Sequence, residues 1–124
     1  MSKILLIEDD QPLLRMYQLA FKNYDHDFIF AIDGQEGLNK IRKEKPNLVL
    51  LDLVLPKKTG FEVLKEAKSD PKIAEIPIIC LSVLHQKEDI DKCFSLGAVD
   101  YIVKTDTPPQ KVVSKALSIL SGQV

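Results

Sequence analysis

Five short runs rich in Ile, Leu and Val alternate with longer segments of helical periodicity, and this alternation restricts the fold of the chain more than any other feature. The apolar runs predict strands at residues 3–7, 28–32, 47–52, 76–81 and 99–103. The segments between and after them predict helices at residues 12–23, 37–45, 61–68, 86–96 and 108–120. A repeated strand–helix unit indicates an α/β protein whose parallel sheet is covered by helices on both faces.

The third run has no polar residue between Asn47 and Asp52, which indicates a strand buried on both faces in the middle of a parallel sheet. Right-handed crossover connections leave few topologies for five such units. The common arrangement is the flavodoxin-like, doubly wound (βα)5 fold, whose strand order is 2-1-3-4-5. We predict this fold.

Composition excludes several classes of protein. With 124 residues the chain has the size of one domain, and its 17 basic and 18 acidic residues provide no basic excess for nucleic acid. No apolar stretch has the length of a membrane span or a signal peptide, so a cytoplasmic location is the default expectation. Cys80 and Cys93 lie in apolar or helical patterns, which favours buried, reduced thiols over a disulfide framework or a zinc site.

Polar residues stand where the predicted strands end. In the order 2-1-3-4-5 the strand order reverses between strands one and three, and ligands bind outside the carboxyl ends of the strands at that point. The polar residues at these ends are Glu8, Asp9, Asp10, Asp52, Ser82 and Lys104. Crowded carboxylates need a cation or must take up protons, and Mg²⁺ is suited to a few carboxylates with water and phosphate oxygens.

A carboxylate beside Mg²⁺ can act as a nucleophile toward a phosphoryl group and form an aspartyl phosphate. The ammonium of Lys104 and the hydroxyl of Ser82 would stabilise the charge on the transferred group. The alternative for Asp9 and Asp10 is a purely structural role, in which they only cap the first helix. We expect Asp10 or Gln11 to have that capping role in any case.

Four segments of the chain carry a family resemblance. They are residues 4–10, residues 50–56 with 59–65, residues 76–82, and residues 96–104. In this order and at this spacing they resemble the receiver domain of two-component response regulators, including the chemotaxis regulators. Residues 1–124 would then form one receiver domain without an effector domain. The sequence leaves open whether this is a stand-alone regulator or a piece of a longer one.

The resemblance implies a metal site and a phosphoacceptor. Asp52 would be the phosphoacceptor and would also contact Mg²⁺. Asp9 would bind Mg²⁺ directly, Glu8 would act through water, and the backbone carbonyl of Val54 would be a further ligand.

The resemblance also implies a switch. Ser82 would turn toward the phosphoryl group, Tyr101 would move inward with it, and Lys104 would pair with the phosphate. The donor would be a histidine kinase or a histidine phosphotransfer protein. The surface of helix four, strand five and helix five would act on a downstream protein or an effector domain, as a monomer or a weak phosphorylation-dependent dimer. Such a protein is a signalling switch that assists its own phosphorylation and dephosphorylation, and not an enzyme.

One departure from the family pattern keeps alternatives open. Thr105 follows Lys104 where the family usually has proline, which predicts a trans peptide and an altered loop. A phosphorylation-independent interaction module, a pseudo-receiver, is therefore the second hypothesis. An aspartyl-nucleophile hydrolase ranks last, because it needs an acid two residues after Asp52 and Val54 stands there. Lys57 and Lys58 are interpreted as a solvated basic tip.

Overall fold

A parallel five-stranded sheet in the order β2-β1-β3-β4-β5 forms the centre of the computed structural model, which describes residues 2–122. The strands are β1 (Lys3–Ile7), β2 (Asp27–Ala31), β3 (Leu48–Leu51), β4 (Ile78–Ser82) and β5 (Asp100–Val103). The predicted fold class and strand order are confirmed. The bounds of β1 match the prediction, and those of the other strands differ from it by at most two residues, because an apolar run does not show where backbone pairing begins.

Five α-helices connect and cover the strands. They are α1 (Gln11–Phe21), α2 (Gly34–Glu44), α3 (Gly60–Ser69), α4 (Lys87–Ser95) and α5 (Pro109–Leu120), with a short 3-10 helix at Lys104–Asp106. Within residues 2–122, no helix is both long enough and apolar enough to cross a membrane.

The sheet divides the interior into two cores because its side chains alternate between faces. Leu5 and Ile7 pack with α2, α3 and α4 on one face, and Ile4 and Leu6 pack with α1 and α5 on the other. All four residues of β3 are buried, as its continuous apolar run predicts. The central strands are thus held from both sides, and their carboxyl ends are fixed in position.

Side-chain caps fix the starts of α1, α2 and α3. Asp10 Oδ1 accepts a hydrogen bond from the backbone N–H of Leu13 at 3.1 Å, which confirms the expected capping role of Asp10. Asp33 Oδ1 accepts from the backbone N–H of Glu36 at 2.7 Å, so α2 begins at Gly34. The predicted start at residue 37 is wrong, because Asp33 is the cap and the helix begins three residues earlier.

Gly97 follows the end of α4 and fixes where the helix stops. Gly97 has a φ of +105°, in the left-handed region that favours glycine. Its N–H donates to Phe94 O, and the N–H of Ala98 donates to Cys93 O, both at 3.0 Å. This is the Schellman arrangement that ends many helices.

Candidate functional site

Sheet register brings the polar strand ends together. Ile7 is the register partner of Leu51, so Glu8 and Asp52 lie one step further along at the same edge. Ser82 pairs with Val103, and Lys104 follows directly. The structure therefore gathers side chains from the ends of four parallel strands at the point where strand order reverses.

Asp52 is buried, and each of its carboxylate oxygens accepts a hydrogen bond. Its side chain has 6% exposure, and Oδ2 accepts a hydrogen bond from Lys104 Nζ at 3.0 Å. Its Oδ1 accepts from the backbone N–H of Val54 at 3.3 Å. The carboxylate is thus oriented by a buried ammonium and by the loop that follows β3.

Glu8 shares the same ammonium. Lys104 Nζ also donates to Glu8 Oε1, and Glu8 Oε2 accepts from the backbone N–H of Asp10 at 3.2 Å. Burial raises the pKa of Glu8 to about 7, although the hydrogen bond from Lys104 opposes the rise. Burial by itself would lower the pKa of Lys104, but the hydrogen bond to Glu8 and the charges of Asp52 and Glu8 outweigh it, so the pKa is raised.

Asp9 completes an acidic group that fits a hard cation. It is exposed beside the two buried acids, and one carboxylate oxygen each of Glu8, Asp9 and Asp52 lie within 4.8 Å of one another. Three carboxylates with one ammonium leave an excess of negative charge. Oxygen donors of this kind are the ligands that Mg²⁺ and Mn²⁺ accept, so the residues present are suited to a divalent metal.

A backbone segment links Ser82 to Tyr101. Ser82 is fully buried, and its Oγ accepts from the backbone N–H of Leu84 at 3.2 Å. The carbonyl of Leu84 accepts from the hydroxyl of Tyr101 at 2.6 Å. Burial raises the pKa of Tyr101 to about 12. The Tyr101 ring packs against the core, so its hydroxyl is directed at the main chain after β4.

The loop after Asp52 lies tightly against its neighbours. A Cβ on Gly60 would overlap the carbonyl of Asp52 and the Cα of Leu53. Lys58 Nζ pairs with Glu66 at 2.6 Å and its side chain has only 22% exposure. The interpretation of this pair as a solvated basic tip is therefore wrong for Lys58, because α3 lies beside it, and describes only Lys57, whose side chain is 70% exposed.

Two residues at the site, Tyr17 and Gly60, and the backbone link through Leu84 were not predicted from the sequence. Tyr17 on α1 is 1% exposed, and burial together with the charges of Glu8 and Asp52 raises its pKa to about 12. Its place in a helical apolar stripe suggested only core packing. The Leu84 link acts through backbone atoms and leaves no trace in residue type. The role of Gly60 could have been predicted, since a glycine next to the Thr59 cap indicates that another backbone segment approaches closely there.

Comparisons with known proteins all point to the same family. The family model for the response regulator receiver domain matches residues 4–115. The alkaline phosphatase synthesis transcriptional regulatory protein PhoP of Bacillus subtilis is 34% identical over 119 residues, which are 96% of this chain and 48% of that protein. The chain spans about half the length of the first curated relatives it matches.

Solved structures agree with the sequence relatives. The Mn²⁺-bound form of response regulator Rcp1 superimposes with a TM-score of 0.80 at 31% identity, covering 98% of this chain and 91% of that chain. The phosphorylated cyanobacterial phytochrome response regulator RcpA superimposes with a TM-score of 0.81 at 36% identity, covering 98% and 89%. By fold, by sequence and by the extent of both matches, the chain belongs to the response regulator receiver domain family.

Proposed function

We propose that this chain is a phosphoacceptor switch that takes a phosphoryl group onto Asp52 from a histidine kinase or a histidine phosphotransfer protein. One observation carries the proposal. The buried carboxylate of Asp52 is 3.0 Å from the Lys104 ammonium, at a sheet edge that also holds Glu8, Asp9 and Ser82. Two structural relatives, Rcp1 bound to Mn²⁺ and RcpA in its phosphorylated form, support the same assignment.

The proposed reaction is a displacement at phosphorus. An oxygen of Asp52 forms a bond to the phosphorus, and the P–N bond to the donor imidazole breaks. The electron pair of that bond stays on the imidazole nitrogen, which takes up a proton. Lys104 is held at the acceptor carboxylate before the reaction, so its charge is already in position to stabilise the transferred oxygens.

The residues that would bind Mg²⁺ are Glu8, Asp9, Asp52 and the backbone carbonyl of Val54. When bound, the metal would neutralise charge on the phosphoryl oxygens. Asp9, the exposed member, can exchange water for metal most easily, while buried Glu8 sets the charge of the pocket.

The proposed output runs through Ser82 and Tyr101. The Ser82 hydroxyl would turn to donate to a phosphoryl group on Asp52, and Oγ would then lose the hydrogen bond that it accepts from the Leu84 N–H. The Leu84 carbonyl also accepts from the hydroxyl of Tyr101. A change at Ser82 would therefore alter the hydrogen bond of the Tyr101 side chain in β5. The surface of α4, β5 and α5 would then shift in population between two partner-binding states. The downstream partner would be a protein or an effector domain.

Incubation with acetyl phosphate and Mg²⁺, followed by intact mass measurement in acid, tests the proposal. We expect wild type to gain one phosphoryl group as acetate leaves, and Asp52→Asn to gain none. Asp25→Asn, at an exposed position, is the matched control and should be labelled like wild type. Label on Asp52→Asn, or on neither protein, would contradict the assignment.

The pseudo-receiver alternative rests on one observation, Thr105 in place of the usual proline. The contact between Lys104 and Asp52 argues against it, because Lys104 reaches Asp52 even though Thr105 replaces the proline. A Mg²⁺ titration that detects no binding, together with an unlabelled wild type, would favour this alternative.

A further inference from the structure

Two cysteines face each other between a central strand and the helix that covers it. Cys80 lies in β4 and Cys93 in α4, and both side chains are fully buried in the same core cluster. The two thiols influence each other's ionisation, which raises the pKa of Cys80 and lowers the pKa of Cys93. Cys80 is also the register partner of Tyr101, so the thiol pair lies beside the aromatic residue that connects β5 to the loop after Ser82.

Few buried side chains anchor α4. Cys93 is its one buried residue, whereas α1, α2 and α3 each bury four and α5 buries three. Gln86, at its N-cap, makes no side-chain hydrogen bond to the helix. Lys92 lies over the ring of Phe61 on α3 at 4.3 Å, and this surface contact is worth little when exposed. Of these five helices, α4 therefore buries the fewest residues.

We propose that Cys80 and Cys93 form a reversible disulfide that fastens α4 to β4. The bond would join the single buried side chain of the helix to the central strand beneath it. Because local opening is easiest where few side chains are buried, displacement of α4 gives an oxidant access to thiols that are otherwise closed off.

The chemistry needs a peroxide as the oxidant. Cys93 lies on the helix that opens, and its pKa is lowered by Cys80 while the pKa of Cys80 is raised by Cys93 and by burial, so Cys93 is the thiol that reacts first. The Cys93 sulfur attacks hydrogen peroxide, the O–O bond breaks, and a sulfenic acid and water form. The Cys80 sulfur then attacks that sulfenic sulfur and a second water leaves. Two thiols are oxidised to one disulfide, and one peroxide is reduced to two waters.

The disulfide would act on the switch through position. With α4 tied to β4 next to Tyr101, the helix cannot shift when the hydrogen bonds of Ser82 and Tyr101 rearrange. Oxidation would thus hold the α4 surface in one state. Only this regulatory effect rests on the proposed function, since the bond itself forms without a phosphoryl group.

Peptide mapping of the intact chain tests the bond directly. Cleavage after Lys72, Lys87, Lys92 and Lys104 puts the two cysteines in separate tryptic peptides, residues 73–87 and 93–104. The chain is treated with hydrogen peroxide while folded, alkylated, unfolded and digested without reductant. We expect the two peptides joined, with the mass of two hydrogens lost, and separated again by dithiothreitol. Unjoined peptides, or peptides carrying only sulfinic acid, would overturn the proposal.

A second measurement tests whether the bond fastens the helix. We expect the backbone amides of α4 to exchange with deuterium about tenfold more slowly in the oxidised chain than in the reduced one. Cys93→Ala treated in the same way should show no change, and its circular dichroism reports whether it folds. Unchanged α4 exchange in the joined wild type would refute the fastening. Neither readout uses a phosphoryl donor, so failure here is separate from failure of Asp52 as the acceptor.

Discussion

The Lys104 ammonium lies 3.0 Å from Asp52 Oδ2, with both side chains under one tenth exposed. The same ammonium bonds to Glu8, so one cation serves two buried carboxylates. A divalent metal bound among these carboxylates would be repelled by that ammonium, and the two cations would compete for the same negative charge. In the proposed function, Lys104 would therefore prepare Asp52 for a phosphoryl group and would lower the affinity for the metal.

Replacing Lys104 by Gln should separate these two effects. We expect Mg²⁺ to bind about tenfold more tightly, because a nearby positive charge is removed. Phosphorylation by acetyl phosphate should slow by about tenfold or more, because the charge that stabilises the transferred oxygens is lost. Calorimetric titration measures the first quantity and the rate of mass gain the second.

Lys115→Gln is the matched control, since Lys115 makes a partly exposed ion pair with Asp100. It should leave both quantities unchanged. Mg²⁺ affinity that falls in Lys104→Gln would show that the lysine does not oppose the metal.

Mg²⁺ affinity should depend on pH through Glu8. Burial raises the pKa of Glu8 to about 7, so below that pH its carboxyl carries a proton. Metal binding requires the negative charge, and affinity should therefore fall by about threefold to tenfold between pH 8 and pH 6. Glu8→Gln should show weaker binding and a flatter pH dependence. Equal pH profiles for the two proteins would assign the effect to another group.

The stability of the metal-free protein should change in the opposite direction. The folded-state pKa of Glu8 is about 7 and its ordinary value is 4.5, so between these pH values the folded protein keeps a proton that the unfolded chain releases. The free energy of unfolding should fall by about 1–3 kcal/mol as pH rises through this range. Urea unfolding at several pH values measures it. Glu8→Gln should lose this component, and a wild type that gains stability over the same range would contradict it.

The fold could be predicted well from the sequence because it depends on where the apolar runs lie and where polar residues interrupt them. The continuous run of β3 indicated a central strand, and polar residues at strand ends indicated one sheet edge. Helix starts were less predictable. Asp33 with Gly34 is compatible with a turn or a helix cap, and the choice depends on Glu36, whose carboxylate accepts from the N–H of Ile32 at 2.7 Å.

The electrostatics of the site could not be predicted in the same way. Strand ends place Lys104 near Asp52, but its second bond to Glu8 depends on how far each side chain reaches. The raised pKa of Glu8 is a consequence of burial, which residue type alone does not give. The roles of these residues in phosphoryl transfer stay predictions.

The space at Gly60 should be essential for the site. A Cβ there would overlap the backbone of Asp52 and Leu53, and backbone atoms cannot move aside as a flexible side chain can. Gly60→Ala should lower the free energy of unfolding by about 2–4 kcal/mol and weaken Mg²⁺ binding. Lys65→Ala, at an exposed position of the same helix, is the control and should have little effect on either. A Gly60→Ala protein with wild-type stability and metal affinity would mean that the start of α3 can shift freely.

The lifetime of the phosphoryl group should depend on Val54. This residue lies two positions after Asp52 and is 55% exposed. An apolar group there disfavours ordered water near the acyl phosphate, whereas an amide can bind and orient the attacking water. Val54→Asn should therefore shorten the phosphoryl lifetime by about threefold to tenfold, measured as loss of the phosphoryl mass after the donor is removed. Val99→Asn changes an exposed valine that precedes β5, at the opposite end of the strands, and should leave the decay rate unchanged. Equal decay in wild type and Val54→Asn would show that water reaches the phosphoryl group by a route that Val54 does not control.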